Sequence, residues 1–216
     1  MFVADRMSSP PITVHHNDPM QEALNLMKKE GVRRFPVVDK EGKLVGIISE
    51  SDLLHASPSD ATTLSVWEMN YMLSKIKVKD VMTKKVITVN ADTPIEEAAR
   101  VMNDHKIGGL PVLNQGKLVG IITETDLFKI FLELLGARQS GVRLSVLVPN
   151  VPGELAKLTK AIFDAGGDIL ALGTFMGESS ENSEIVLKVS GVNEADLQTA
   201  VQPVSEKIID LREMRI

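Results

Sequence analysis

Gly46 to Leu53 reads GIISESDL, and Gly120 to Leu127 reads GIITETDL. A hydroxyl (Ser49, Thr123) is followed three positions later by a carboxylate (Asp52, Asp126) both times. Two kinds of chemistry use that spacing. In a capping box, the hydroxyl accepts from the backbone N–H of the third residue and that residue's side chain returns to the first N–H, with no ligand involved. In a binding corner, the carboxylate accepts hydrogen bonds from a pair of ligand hydroxyls. The hydroxyl and the free N–H groups at the helix start then receive an anion. A cap and a ligand use different lone pairs, so one motif can serve both.

Other chemistries find little support. The histidines are His15, His16, His55 and His105, and none forms an H-x-x-x-H pair. His15 and His16 would point to opposite sides of a strand. No metal site is expected. There is no cysteine, which excludes disulfides, thiolate nucleophiles and Cys-type zinc sites. No G-x-S-x-G elbow, P-loop or Gly-rich dinucleotide fingerprint occurs. Paired acids such as Glu96 with Glu97, or Asp210 with Glu213, read as solvated faces. No catalytic residue is assigned.

The two phrases belong to a longer repeat. A shift of 75 positions aligns Asp5-Arg6-Met7-Ser8 with Asp80-Val81-Met82-Thr83, Ile12-Thr13-Val14 with Ile87-Thr88-Val89, and Pro19 with Pro94. With one residue deleted, PVVDKEGKLVGIISESDL then aligns with PVLNQGKLVGIITETDL, where 12 of 17 positions are identical. This is an internal duplication. In each copy the pattern predicts strand, helix, strand, strand, helix. Residues 12–14 form a β-branched strand. Asp18 is placed as N-cap before Pro19, and Met20, Ala23, Leu24 and Met27 make one apolar face ending at Gly31. In the second copy Thr93 and Glu96 are placed as a capping box. Residues 57–79 read as a connecting helix, with Val66, Met69, Leu73 and Ile76 on one face and Trp67 and Tyr71 as packing residues.

These residues resemble the CBS domain, a module that occurs in tandem pairs. The match rests on the Met-Ser/Thr opening, the I-T-V strand, the hydrophobic-Pro-Val strand and the G-h-h-S/T-x-x-D ending, each present twice. It spans residues 2–135, with repeat one at 1–56, the linker helix at 57–79 and repeat two at 80–136. The resemblance implies a flat disc with clefts between the repeats that hold an adenosine-containing ligand. Ser49 with Asp52, and Thr123 with Asp126, then look like ribose-phosphate corners. Adenine is expected near Ser8 and Thr83, against Ile12 and Ile87. Copy one carries Arg33-Arg34 where copy two has Gly108-Gly109. The resemblance makes the arginines phosphate contacts and one cleft stronger than the other. Solvated strand-edge charge is the alternative for them.

After Leu135-Gly136 the periodicity changes. The order over residues 140–216 reads βαββαβ, a ferredoxin-like arrangement, making the whole chain α/β (α+β). Leu155, Leu158 and Ile162 are expected on one helical face. Asn150-Val151-Pro152-Gly153-Glu154-Leu155 gives N-x-P-G-x-L, and the segment resembles an ACT domain. That implies side-by-side pairing into a homodimer and an amino-acid site lined by Asn150, Gly153, Gly167 and Asp168. Asp168 stands where the family usually has Asn. A tight turn in a module that only dimerises is the alternative. A CBS pair with one ACT domain at this length is similar to the acetoin-utilization proteins of the AcuB type.

The net charge of −5, without a cluster of Lys and Arg, gives no footprint for nucleic acid or an anionic membrane. No membrane span or signal peptide is read, so a cytoplasmic location is expected. The function expected is a non-enzymatic sensor of an adenine nucleotide, with no required cofactor and its signal read by a partner enzyme. The alternatives are a partner subunit with empty clefts, an S-adenosylmethionine or NAD binder, and an enzyme acting on a nucleotide.

Overall fold

The computed structural model describes residues 1–56 and 75–216, in two compact units, residues 1–127 and 128–216. In the first unit each copy builds one three-stranded sheet. Copy one orders β1 (Val14–His15), β2 (Arg34–Val38) and β3 (Leu44–Ser49), with β1 parallel and β3 antiparallel to β2. Helix α1 (Met20–Glu30) connects β1 to β2, and α2 (Glu50–His55) follows β3. The apolar face read from the sequence is the buried one: Met20, Ala23, Leu24 and Met27 pack with Phe35, Val37, Ile48 and Leu53. After the short helix α3 (Val78–Val81), copy two repeats the plan with β4 (Val89–Asn90), α4 (Ile95–His105), β5 (Gly109–Asn114), β6 (Lys117–Thr123) and α5 (Glu124–Leu134).

The copies exchange their opening segments. Val3 and Met7 pack into the core of copy two, while Ile76, Val78, Val81 and Met82 pack into the core of copy one. Backbone bonds follow the same exchange. Val3 N–H donates to the Thr93 carbonyl at 2.9 Å, and Val78 N–H to the Asp18 carbonyl at 3.0 Å. Residues 9–13 therefore run from one copy to the other, and strand pairing is delayed to Val14. The strand expected over 12–14 is shorter and later than its β-branched run suggests.

The helix starts differ from the sequence reading. The Asp18 carboxylate accepts from His15 N–H at 2.7 Å, and Thr93 Oγ1 accepts from Asn90 N–H at 3.1 Å. Each closes the turn before its helix, so Pro19 and Pro94 become the N-caps and the Thr93–Glu96 capping box does not form. His16 lies beyond the end of β1, so the two histidine rings lie 4.3 Å apart instead of on opposite faces. Val66, Trp67, Met69, Tyr71 and Leu73 of the expected connecting helix lie outside the described residues.

In the second unit, β7 (Gly141–Pro149), β8 (Asp168–Met176), β9 (Asn182–Ser190) and β10 (Lys207–Met214) form one antiparallel sheet in the order β10-β7-β9-β8. With α6 (Glu154–Asp164) and α7 (Glu194–Val201) this is the expected ferredoxin-like βαββαβ order. Leu158, Ile162, Leu197 and Val201 bury against Val142, Leu144, Val146 and Val189. Leu155, expected on that face, is exposed. Its neighbour Glu154 is buried instead and accepts from Lys157 Nζ at 2.6 Å. Among the described residues no helix is long and apolar enough to cross a membrane.

Candidate functional site

The repeated motif makes the same turn in both copies. Ser49 ends β3, and its Oγ accepts from Asp52 N–H at 3.3 Å. Asp52 Oδ2 accepts from Ser49 N–H at 2.8 Å and from Ser49 Oγ–H at 2.7 Å. In copy two, Asp126 Oδ2 accepts from Thr123 N–H at 3.0 Å and from Thr123 Oγ1–H at 2.8 Å. In copy one both halves of the capping box are therefore present. It does not exhaust the motif, because both bonds in copy one fall on Oδ2. Asp52 Oδ1 has no hydrogen-bond partner among the described residues.

The glycine of each phrase has a packing reason. A Cβ on Gly46 would collide with the Met82 sulfur, and one on Gly120 with the Met7 sulfur. Each methionine belongs to the opening segment of the other copy. The next residue then bridges to the same strand. Thr83 N–H donates to the Ile47 carbonyl at 2.9 Å and Ile47 N–H returns to Thr83 at 3.0 Å; Ser8 and Ile121 exchange equivalent bonds of 2.9 and 3.1 Å. Each S/T-x-x-D corner thus faces the opening of the opposite repeat.

On the Asp52 side these elements enclose a cavity of about 350 Å³. Arg34, Ser49 and Asp52 from copy one meet Thr83 and Ile87 from copy two there. The volume falls within the range of small-ligand sites. Half-buried Arg34 extends across Gly108-Gly109, where a Cβ on Gly109 would stand 2.8 Å from its Cδ and Nη1. The glycine pair leaves room, and Arg34 fills it. Burial lowers the Arg34 pKa from its ordinary value; Glu124 opposes this, Arg33 adds to it, and Asp52 opposes it. The guanidinium remains charged at neutral pH, so an incoming anion would meet a partly desolvated cation.

The remaining sequence-read residues divide. Arg33 is exposed and lies outside the cavity lining; its carbonyl accepts from Glu50 N–H at 2.8 Å. Ser8 sits on the counterpart side, bridged to the strand that ends in Thr123, and Asp126 is buried there. Ile12 is exposed. In the second unit, Asn150 accepts from Ser183 Oγ at 3.3 Å and donates through Nδ2 to the Ser180 carbonyl at 3.1 Å. Gly153 caps the start of α6, while Gly167 and Asp168 follow its end. Eleven helical residues span about 16 Å. One chain therefore does not gather these four residues around one ligand.

The sequence reading missed Ile47, Lys85, Lys106 and Ile107, which also line the cavity. For Lys106 a signal existed: the 75-position shift aligns it with Gly31. Among the described residues no group of three His, Asp or Glu side chains is gathered to hold a metal ion.

Comparison with known proteins gives a CBS-domain profile matching residues 3–59 and 78–133. The chain belongs to the CBS-domain family. A TTHA0829-like ACT domain profile matches residues 140–212, so the CBS pair is followed by an ACT domain. Three solved structures resemble the CBS pair. The CBS pair of MJ0100, in complex with 5′-methylthioadenosine and S-adenosyl-L-methionine, is 33% identical with a TM-score of 0.52, over 64% of this chain and 98% of that one. A protein named for acetoin utilization, AcuB from Vibrio cholerae, is 33% identical with a TM-score of 0.53, over 64% and 96%. CBSX2 in complex with AMP is 30% identical with a TM-score of 0.53, over 62% and 97%. Among curated relatives, L-aspartate semialdehyde sulfurtransferase from Methanocaldococcus jannaschii is 34% identical over 131 residues. That match covers 60% of this chain but only 23% of the relative.

Proposed function

We propose that the protein is a non-enzymatic regulator whose CBS pair binds an adenine nucleotide in the cavity between Asp52 and Thr83. The observation that carries this reading is the free Oδ1 of Asp52 in a cavity of about 350 Å³ that also holds Arg34. In this reading the ribose diol donates to Asp52, Arg34 receives phosphate, and adenine lies against Ile47 and Ile87. AMP in CBSX2 and the two adenosyl compounds in MJ0100 support the ligand class. The ligand acts by favouring one geometry of the two copies, and only to the extent that it binds that geometry more tightly.

The ACT domain pairs two chains in this reading. An amino acid at the shared edge would take Asn150 and Gly153 from one chain and Gly167 and Asp168 from the other. The likeness to the Vibrio protein supports a partner enzyme in acetoin utilization as the reader of the signal. A second reading, S-adenosylmethionine as the ligand, is favoured by the MJ0100 complex.

Calorimetric titration of the full chain with AMP, ADP, ATP, NAD and S-adenosylmethionine tests the proposal. Saturable heat with a nucleotide is expected, with the ligand recovered unchanged after prolonged incubation. Flat heats with all five would leave the partner-subunit reading, and turnover of ATP would make the protein an enzyme.

A further inference from the structure

In the sheet of the second unit, Val142, Leu144 and Val146 pack against the helices, so Arg143 and Ser145 lie on the opposite face. Arg143 stands directly across from Lys188 on β9 and from Arg212 on β10, which sets three cations in one row on that face. Like charges opposite each other destabilise a sheet. Asp210 relieves two of the three, accepting from Arg143 Nη1 at 2.5 Å and from Arg212 Nε at 2.7 Å. Glu184, on the same face, is engaged by the Ser145 hydroxyl at 2.5 Å. Lys188 is left over. It is 4% exposed, and among the described residues no group accepts a hydrogen bond from its ammonium or pairs with it. Burial, then Arg143, lowers its pKa from the ordinary value. A lysine is rarely buried without a counter-charge, because desolvating an unpaired charge is costly. Gly136 brings the chain close over this lysine: a Cβ there would stand 3.3 Å from the Lys188 Cβ. Gly136 also lines a cavity of about 500 Å³, together with Lys129, Leu132, Glu133, Arg138 and Gln139.

We propose that the cavity beside Gly136 binds a short-chain monocarboxylate, with Lys188 and Arg138 as its counter-charges. The planar guanidinium fork of Arg138 matches a carboxylate, the Gln139 amide is a further donor, and Leu132 gives the alkyl chain an apolar wall. One negative charge offsets the leftover lysine. Glu133, in the same lining, repels a second charge, so a monocarboxylate is preferred to phosphate. The site is separate from the nucleotide cleft, and none of Asn150, Gly153, Gly167 and Asp168 lines it. It therefore stands whether or not the CBS pair binds a nucleotide.

The test follows melting of the full chain in chloride, acetate, butyrate and phosphate at one ionic strength, for the native protein, Lys188→Met and Arg138→Ala. Butyrate at about ten times its Kd should raise the native melting temperature by about 3 °C over chloride. Acetate and phosphate should raise it less. Lys188→Met should melt at or above the native temperature in chloride, because an apolar side chain of similar length removes an unpaired buried charge, and it should lose the butyrate response. Arg138→Ala, at an exposed position, should melt like the native chain in chloride and bind butyrate about tenfold more weakly, as for a lost charge-assisted contact. A butyrate response that survives intact in both variants places the anion elsewhere and overturns the inference. No response in the native chain overturns it too. So does a Lys188→Met chain that melts well below the native one in chloride, since the lysine is then a structural part of the sheet. A larger response to phosphate than to butyrate overturns the choice of a monocarboxylate.

Discussion

The two copies of the repeat agree where geometry is made and differ where charge is presented. Gly46 and Gly120 each seat a methionine from the other copy, and Ser49 and Thr123 each receive the following aspartate. Against that common frame, copy one supplies Arg34 where copy two has Gly109, and copy two supplies Lys106 where copy one has Gly31. Each glycine of these pairs matches a cation in the other copy. The difference teaches that a duplicated scaffold can repeat one corner while matching positions exchange glycine for a cation. The Asp52 corner gathers cations from both copies, whereas the Asp126 corner has Gly109 at the position of Arg34.

The largest test of the shared frame replaces the methionine seats. Gly46→Val and Gly120→Val should each destabilise the chain by about 2–3 kcal/mol, since overpacking a filled contact forces backbone and side chains apart. Chemical denaturation should give similar losses for the two. A large loss from one alone would break the equivalence of the copies. The next test separates the corners. Asp52→Ala should weaken AMP by about 2–3 kcal/mol, the loss of charge-assisted bonds to a diol. Asp126→Ala should leave the affinity of the Asp52 cleft within twofold. Arg34→Ala should reduce AMP affinity by about 1.5 kcal/mol and Arg33→Ala by less than half of that, read in the same titrations.

The smallest effect lies outside both copies and serves as their control. Asp210 in the second unit accepts from Arg212 and, at 2.5 Å, from Arg143. The Arg212 hydrogen bond, then the Arg143 bond, hold its carboxyl below the ordinary value, with burial opposing. A depressed carboxyl contributes stability that is present above its unfolded pKa and lost as pH falls through the folded one. Asp210→Asn should therefore cost no more than about 1 kcal/mol at pH 7, and the difference should vanish in acid, as followed by melting at several pH values. Nucleotide affinity should not change.

Much of this architecture was legible because it is periodic or repeated. Met20, Ala23, Leu24 and Met27 gave helix α1 by spacing alone, and the βαββαβ order was readable over residues 140–216. The exchange of opening segments was not legible. Nothing local in Met7 or Met82 says that its seat is a glycine more than 35 residues away in the opposite copy. The helix caps failed for a related reason: Asp18 and Thr93 had two possible backbone donors, and the turn before the helix took them. At the site, the repeat pointed to Ser49, Asp52 and Arg34, because matching positions could be compared. Lys85 and Lys106 enter the cavity only through the way the copies face each other.

The most direct measurement is a crystal structure of the full chain with AMP. The account expects the ribose diol on Asp52 Oδ1, the base against Ile47 and Ile87, and the phosphate on Arg34. AMP bound elsewhere, or with its phosphate directed away from Arg34, would contradict it.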